Sequence, residues 1–246
     1  TATAQPAQTA TQAVTQTPPT TLAPTASATP TSTITPPATG QPSPTPSPAQ
    51  SAEELVLYPA SDTYINSWYP STNYDAAQYI NVRQGDVMAA LLRFDAAALA
   101  GREVRSAKLE LYAAKRSNTA ALTVSAYRVL GPWVGKQATW NQASTGVAWG
   151  SPGCNGEGTD RDAAVYSAVA VEAIGSWYRL DVTDMARAWA ADADQNQGLV
   201  LKGSGGVSVE YGFASNESAD VTIRPRLIVQ SVVGPGPADV AAAKGP

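Results

Sequence analysis

The chain is 246 residues long, sets 16 Lys and Arg against 20 Asp and Glu for a net charge of −4, and contains no His and a single Cys, Cys154. No basic run marks a nucleic-acid surface, and no apolar stretch of about eighteen residues marks a membrane span. Without His, neither a Ser–His–Asp triad nor a Cys–His pair can be built, the usual His and Cys zinc sets are absent, and a lone Cys rules out an internal disulfide.

Residues 1–52 form an arm of Thr, Pro, Ala, Gln and Ser with no charge before Glu53. It begins without Met and without a charged segment leading into an apolar one, and is read as the start of a processed, secreted chain. Its apolar content is too low to offset the entropy of ordering. Prolines from Pro18 to Pro48 favour polyproline II and forbid a helix. Extended in that form, the arm would reach roughly 150 Å. Thr and Ser interspersed with Pro is also the composition of O-glycosylated stalks, so Thr and Ser within 1–50 are candidate glycosylation positions. The bland reading is a linker.

From Glu53 onward, short runs with period-two alternation recur between turn signals. They are "ELVLY" (54–58), "TYIN" (63–66), "YINVRQG" (79–85), "VMAALLRF" (87–94), "VRSAKLELYAAK" (104–115), "LTVSAYRVL" (122–130), "LVLKG" (199–203), "VSVEYGFAS" (207–215) and "RLIVQSVV" (226–233). In 104–115, Leu109 and Leu111 share one face, and Lys108 and Glu110 the other. In 207–215, Val207, Val209, Tyr211 and Phe213 are expected on one face. "WYRLDVTDMARAWAADAD" begins as a strand at Trp177 and turns helical, with Thr183 as N-cap and Asp184 where the helix dipole favours an anion. Met185 and Trp189 lie four apart and share a face. About ten short strands with one short helix predict an all-β fold, a two-sheet antiparallel β-sandwich of jelly-roll type over 53–233. Residues 234–246 form a tail without a core pattern.

Several segments carry a family likeness together: "SDTYINSWYPSTNY", "VRQGDVMAALLRFD", "ATWNQASTGVAWGSPGCNGEGTDR", "WYRLDVTDMARAWAAD", "GLVLKG" and "VEYGFASNESADVTIRPRLIV". Over about residues 54–233 the chain resembles the DNRLRE-type domain, which is related to a family of bacterial carbohydrate-binding modules. In the stretch that names that domain, Asp220, Ile223, Arg224, Pro225 and Leu227 fit, whereas Val221 and Thr222 depart. The resemblance implies an extracellular, non-catalytic β-sandwich, found beside polysaccharide-degrading enzymes and in surface proteins. It assigns Trp140 of "ATWNQ" to the core, and it does not cover the arm.

The aromatic loop Tyr64, Trp68, Tyr69 and Tyr74 is the leading carbohydrate candidate, because aromatic rings combine broad apolar faces with a polar handle. The alternative is that the loop packs over an open end of the sandwich. Trp149 is a further candidate; Trp177 and Trp189 are assigned to the core. Glu157, Asp160 and Asp162 between glycines are candidate ligands of a structural calcium, against the plainer reading of a solvated loop paired with Arg161. No other cofactor is expected. Cys154 is a candidate intermolecular thiol, with a buried, inert thiol as the plainer reading. "NES" at Asn216 is an N-glycosylation sequon. Nothing marks a carboxylate pair for glycoside hydrolysis among Asp62, Asp181, Asp184 and Glu210, so no enzyme is expected.

Two functions compete ahead of a third, an adhesin-like stalk and head in which the arm only spaces the domain from a surface. The first is a subunit of an extracellular filament or surface fibre, in which the arm contacts the sheet edges of neighbouring copies by strand addition. The second is a carbohydrate-binding module, with polysaccharide as its partner, on a glycosylated linker.

Overall fold

The alternation of "VRSAKLELYAAK" is realised in the longest strand among the described residues, and the other elements are arranged around it. A computed structural model describes residues 52–233. The expectations for the arm, from polyproline II and O-glycosylation to docking on neighbours, and for the 234–246 tail fall outside the described residues.

The strands are β1 (Glu53–Leu57), β2 (Pro59–Asn66), β3 (Tyr79–Arg83), β4 (Met88–Phe94), β5 (Arg102–Arg116), β6 (Leu122–Arg128), β7 (Gln142–Ser144), β8 (Val147–Ala148), β9 (Ser167–Val171), β10 (Ser176–Asp181), β11 (Leu199–Ser204), β12 (Glu210–Ala214) and β13 (Arg226–Val233). Helix α1 spans Thr183–Ala191. Eleven strands join in one curled antiparallel sheet in the order β1-β13-β5-β12-β3-β4-β11-β6-β9, with β10 also on β5 and β2 also on β4, while β7 and β8 form a separate pair. β3 and β4 meet only where Arg83 stands opposite Met88, and there the sheet folds over into two layers. The first layer holds β1, β13, β5, β12, β3 and β10; the second holds β2, β4, β11, β6 and β9.

Alternate residues of both layers face each other across the main core. β5 contributes Ala107, Leu109, Leu111 and Ala113, β12 contributes Tyr211 and Phe213, and the second layer answers with Ala90, Leu92, Leu122, Val124, Leu199 and Leu201. This is the expected sandwich. At about 25 cal/mol per Å² of apolar surface removed from water, such interleaved side chains dominate its stability.

The second layer is buried on its outer side as well. Ile65, Ala89, Leu91, Val129 and Val200 point away from the main core and meet Trp133, Ala138, Ala143, Trp149 and Cys154 from the irregular segment 131–165. That segment is a lid of chain over one face. It explains why "VMAALLRF" reads as a continuous apolar run: every apolar residue of β4 is buried, on one side or the other.

Helix α1 packs Met185, Ala186 and Trp189 against the main core, as the four-residue spacing predicts. Thr183 is the first helical residue rather than the cap. Its amide and hydroxyl both donate to the Asp181 carboxylate, and its hydroxyl accepts from the Ala107 amide at 3.0 Å. It therefore ties the helix to β5 instead of closing its own first turn. Two further differences concern strands. β7, β8 and β9 were not expected, and the strand expected from Val207 begins at Glu210, with Val207 exposed before it. No helix among the described residues is long and apolar enough to cross a membrane.

Candidate carbohydrate-binding face

With the lid over the second layer, the outer side of the first layer is the face left open among the described residues. The alternation that buries Leu109 and Leu111 also turns Ser106, Lys108, Glu110 and Tyr112 of β5 outward. Strand registers then set their neighbours: Arg179 of β10 and Arg226 of β13 both stand opposite Glu110, Trp177 opposite Tyr112, and Gln230 opposite Ser106. Ser106, Lys108, Glu110, Arg179, Arg226 and Gln230 line a shallow groove of about 550 Å³ that reaches Glu54 and Val56 on β1, and Trp177 and Tyr112 stand beside it.

Glu110 is the centre of the groove. Its side chain is only 6% exposed, and it accepts from Arg179 Nε at 2.5 Å and from Arg226 Nε at 2.6 Å. Burial opposes its charge, but the two guanidinium bonds outweigh burial and hold its pKa below the ordinary carboxylate value. Arg226 also lies 4.5 Å over the Trp177 ring, which meets Tyr112 edge-on at 5.5 Å. At the margin Lys108 bonds Asp181, and this bond, with that from the Thr183 hydroxyl, lowers Asp181 to about 2. The result is a polar floor whose groups are held in place by one another, with Trp177 of β10 at its edge beneath Arg226.

The aromatic loop divides in two. Tyr64 stacks on Tyr74 with ring centroids 4.2 Å apart, and Tyr64 is a core residue; burial, with Tyr74 and Glu210 adding to it, pushes its hydroxyl up to about 12. Trp68 and Tyr69 are 56% and 61% exposed. Trp68 carries the Arg83 guanidinium 4.7 Å over its ring, and Asn66 fixes the loop by accepting from the Trp68 amide. Asn73 donates to the Gly135 and Ala138 carbonyls and so pins the loop to the lid. Trp149 lies apart from these, buried in the lid, with Nε1 donating to the Thr139 carbonyl at 2.9 Å. Trp177, assigned to the core by the sequence, stands instead at the open face, because its strand neighbour Leu180 takes the inward side. Trp140 is a partly buried flank of the lid core.

The three candidate calcium ligands have three separate partners. Asp160 is buried and accepts from the amides of Gly150, Ser151 and Gly156 at 2.7, 3.0 and 2.8 Å. Asp162 pairs with Arg128 and the Tyr166 hydroxyl, and Glu157 with Arg161. Among the described residues no three His, Cys, Asp or Glu converge as a ligand set. Cys154 is fully buried in the lid core, and burial pushes its thiol up to about 12, so it is protonated and inaccessible there. Beside it, Gly153 needs its missing side chain: a Cβ would stand 2.6 Å from the Trp140 ring, at a φ of +87° that favours glycine.

The groove residues were present in the sequence as the polar half of each alternation. What the sequence lacks is the register that gathers Glu110, Arg179, Arg226 and Trp177 from three strands. No curated protein matches the chain. The model of carbohydrate-binding module family 96 matches it over residues 53–231, the whole of the sandwich but its last two residues, and so the chain belongs to carbohydrate-binding module family 96.

Proposed function

We propose that this protein binds polysaccharide, without catalysis and outside the cell, on the open face of its first layer. The observation that carries the reading is the Glu110–Arg179–Arg226 cluster beside Trp177, on the face that the lid leaves free. A sugar offers alternating apolar CH surfaces and rows of hydroxyls. Planar forked groups such as guanidinium and carboxylate engage adjacent hydroxyls in pairs, and an indole supplies the apolar contact. Placement on strands, with side chains already locked by ion pairs, reduces the ordering cost of binding. The same locking takes Glu110 out of the role of general acid, since two arginines hold it ionised with no proton to donate. The filament reading rests on the arm, outside the described residues, whereas family membership favours the binding module.

The test is affinity electrophoresis and calorimetry against a panel of soluble polysaccharides. Arg179→Ala is the first variant, because its side chain is 68% exposed and its loss leaves Glu110 paired with Arg226. It is expected to weaken binding about tenfold, the loss of a charge-assisted bond worth ~1.5 kcal/mol. Arg226→Ala is expected to weaken it further, since it also removes the partner of the Trp177 ring. Trp68→Ala is expected to leave affinity unchanged. Binding abolished by Trp68→Ala and Tyr69→Ala but indifferent to Arg179 and Arg226 would move the site to the aromatic loop, and no binding across the panel would reject the function.

A further inference from the structure

Lys202 of β11 projects into the lid, and its side chain is only 10% exposed. Its Nζ has three acceptors: Asp86 Oδ1 at 2.8 Å, the Gly153 carbonyl at 2.5 Å and Asn155 Oδ1 at 2.7 Å. Asp86 also faces the amide, because its second oxygen accepts from Asn155 Nδ2. Nδ2 donates in addition to the Pro152 carbonyl at 2.8 Å, and these partners fix which end of the amide is which. One carboxylate thus bridges an amine and the amide that the amine touches. The backbone bends to place them. Asp86, and Cys154 just before Asn155, are the two non-glycine residues at positive φ among the described residues, at 56° and 58°. Uncommon backbone of this kind gathers at sites where side-chain placement carries a function.

From this bridged amine and amide, we propose that Lys202 and Asn155 join through an intramolecular isopeptide bond, with Asp86 as the proton shuttle. The neutral amine is the nucleophile, and burial favours it: desolvation lowers the Lys202 pKa against the opposing charge and hydrogen bond of Asp86. Asp86 takes one proton from Nζ, and the freed lone pair attacks Asn155 Cγ. The Nζ–Cγ bond forms and the Cγ–Nδ2 bond breaks. Asp86 hands its proton to Nδ2, and the second proton that Nζ sheds leaves with the same nitrogen as ammonium. The products are an amide and ammonium, Asp86 ends as a carboxylate, and no oxidant or other reactant is consumed. Asp86 is 41% exposed and shares a cleft of about 240 Å³ with Lys202 and Asn155, which gives the ammonium a way out. Asn155 precedes Gly156, and ring closure by the Gly156 amide is the competing reaction. That amide is engaged, donating to Asp160 at 2.8 Å. The bond would staple the lid to β11 across 47 residues of chain, in a protein whose single Cys permits no internal disulfide.

Intact mass spectrometry of the full-length protein, followed by a tryptic map, tests this. Wild type is expected about 17 Da below its sequence mass, the loss of one ammonia, with a branched peptide that joins Lys202 to Asn155. Lys202→Met and Asn155→Ala are expected at their full sequence masses. So is Asp86→Asn, which keeps a residue that tolerates positive φ and removes only the carboxylate. Circular dichroism of each variant separates lost chemistry from lost folding. Wild type at its full sequence mass after prolonged incubation, with Lys202 and Asn155 recovered in separate peptides, would overturn the proposal. So would a loss of ammonia that persists in Lys202→Met, which would assign it to ring closure at Asn155. A loss that persists in folded Asp86→Asn would overturn the role given to Asp86.

Discussion

Trp133→Ala is expected to destabilise the domain by about 3–5 kcal/mol, measured as the change in urea midpoint at unchanged slope. Trp133 is among the largest fully buried side chains, and it is the bolt of the lid. Its indole Nε1 donates to the Gln197 carbonyl at 2.8 Å, just before β11. Arg93 of β4 lies 5.2 Å over its ring and donates to its carbonyl at 3.1 Å. Truncation removes an aromatic from a close-packed site, leaves the Gln197 carbonyl without its donor, and strips Arg93 of the ring beneath it while its bond to the main-chain carbonyl remains. The main core is on the other side of β4 and is untouched. The variant is therefore expected to keep its far-ultraviolet signature while the 131–165 segment becomes sensitive to protease. A loss below about 1 kcal/mol, near that of an ordinary surface substitution, would mean that the lid is held by other contacts.

Lys202→Met is expected to cost about 2–3 kcal/mol and to raise the reaction rate of Cys154 with a thiol reagent at least tenfold. Lys202 projects from β11 into the lid, and its ammonium is nearly buried. It donates to Asp86 at 2.8 Å, to the Gly153 carbonyl at 2.5 Å and to Asn155 Oδ1 at 2.7 Å. Burial lowers its pKa, and the charge and hydrogen bond of Asp86 oppose that shift. Methionine keeps the stem but removes all three donors, so the Gly153 carbonyl is left buried without a partner. The residues released are the immediate neighbours of Cys154. In the native protein that thiol is protonated and enclosed, and it should react slowly. Unchanged reactivity in the variant would show that the three amide bonds to Asp160 suffice to hold the loop closed.

Both variants act on the lid, a segment that carries Trp133, Trp140 and Trp149 but none of the period-two runs by which the sandwich strands are read. The period-two pattern reports the state of a strand's two faces, and it does so without reference to what covers them. In 104–115 the faces differ, so Leu109 and Leu111 were assigned inward correctly. In 87–94 both faces are buried, and the run of "VMAALLRF" marks a strand while hiding the second core behind it. In 207–215 the alternation extends past the strand, because exposed Val207 satisfies the pattern by composition alone. Aromatic residues were the least legible. Trp177 and Trp189 looked alike, yet one stands at the open face beneath Arg226 and the other is buried on the core side of helix α1.

By itself, then, the sequence determined that this is an all-β sandwich with one helix and a family resemblance to carbohydrate-binding modules. These properties reside in local alternation, turn residues and short motifs read along the chain. Only the tertiary structure decided which face is open and which residues meet on it. Glu110 gains its two arginines from strands 69 and 116 residues away. Such pairings are set by strand register and by the fold of the lid. An alternating pattern carries no information about either, because any even shift of register preserves it.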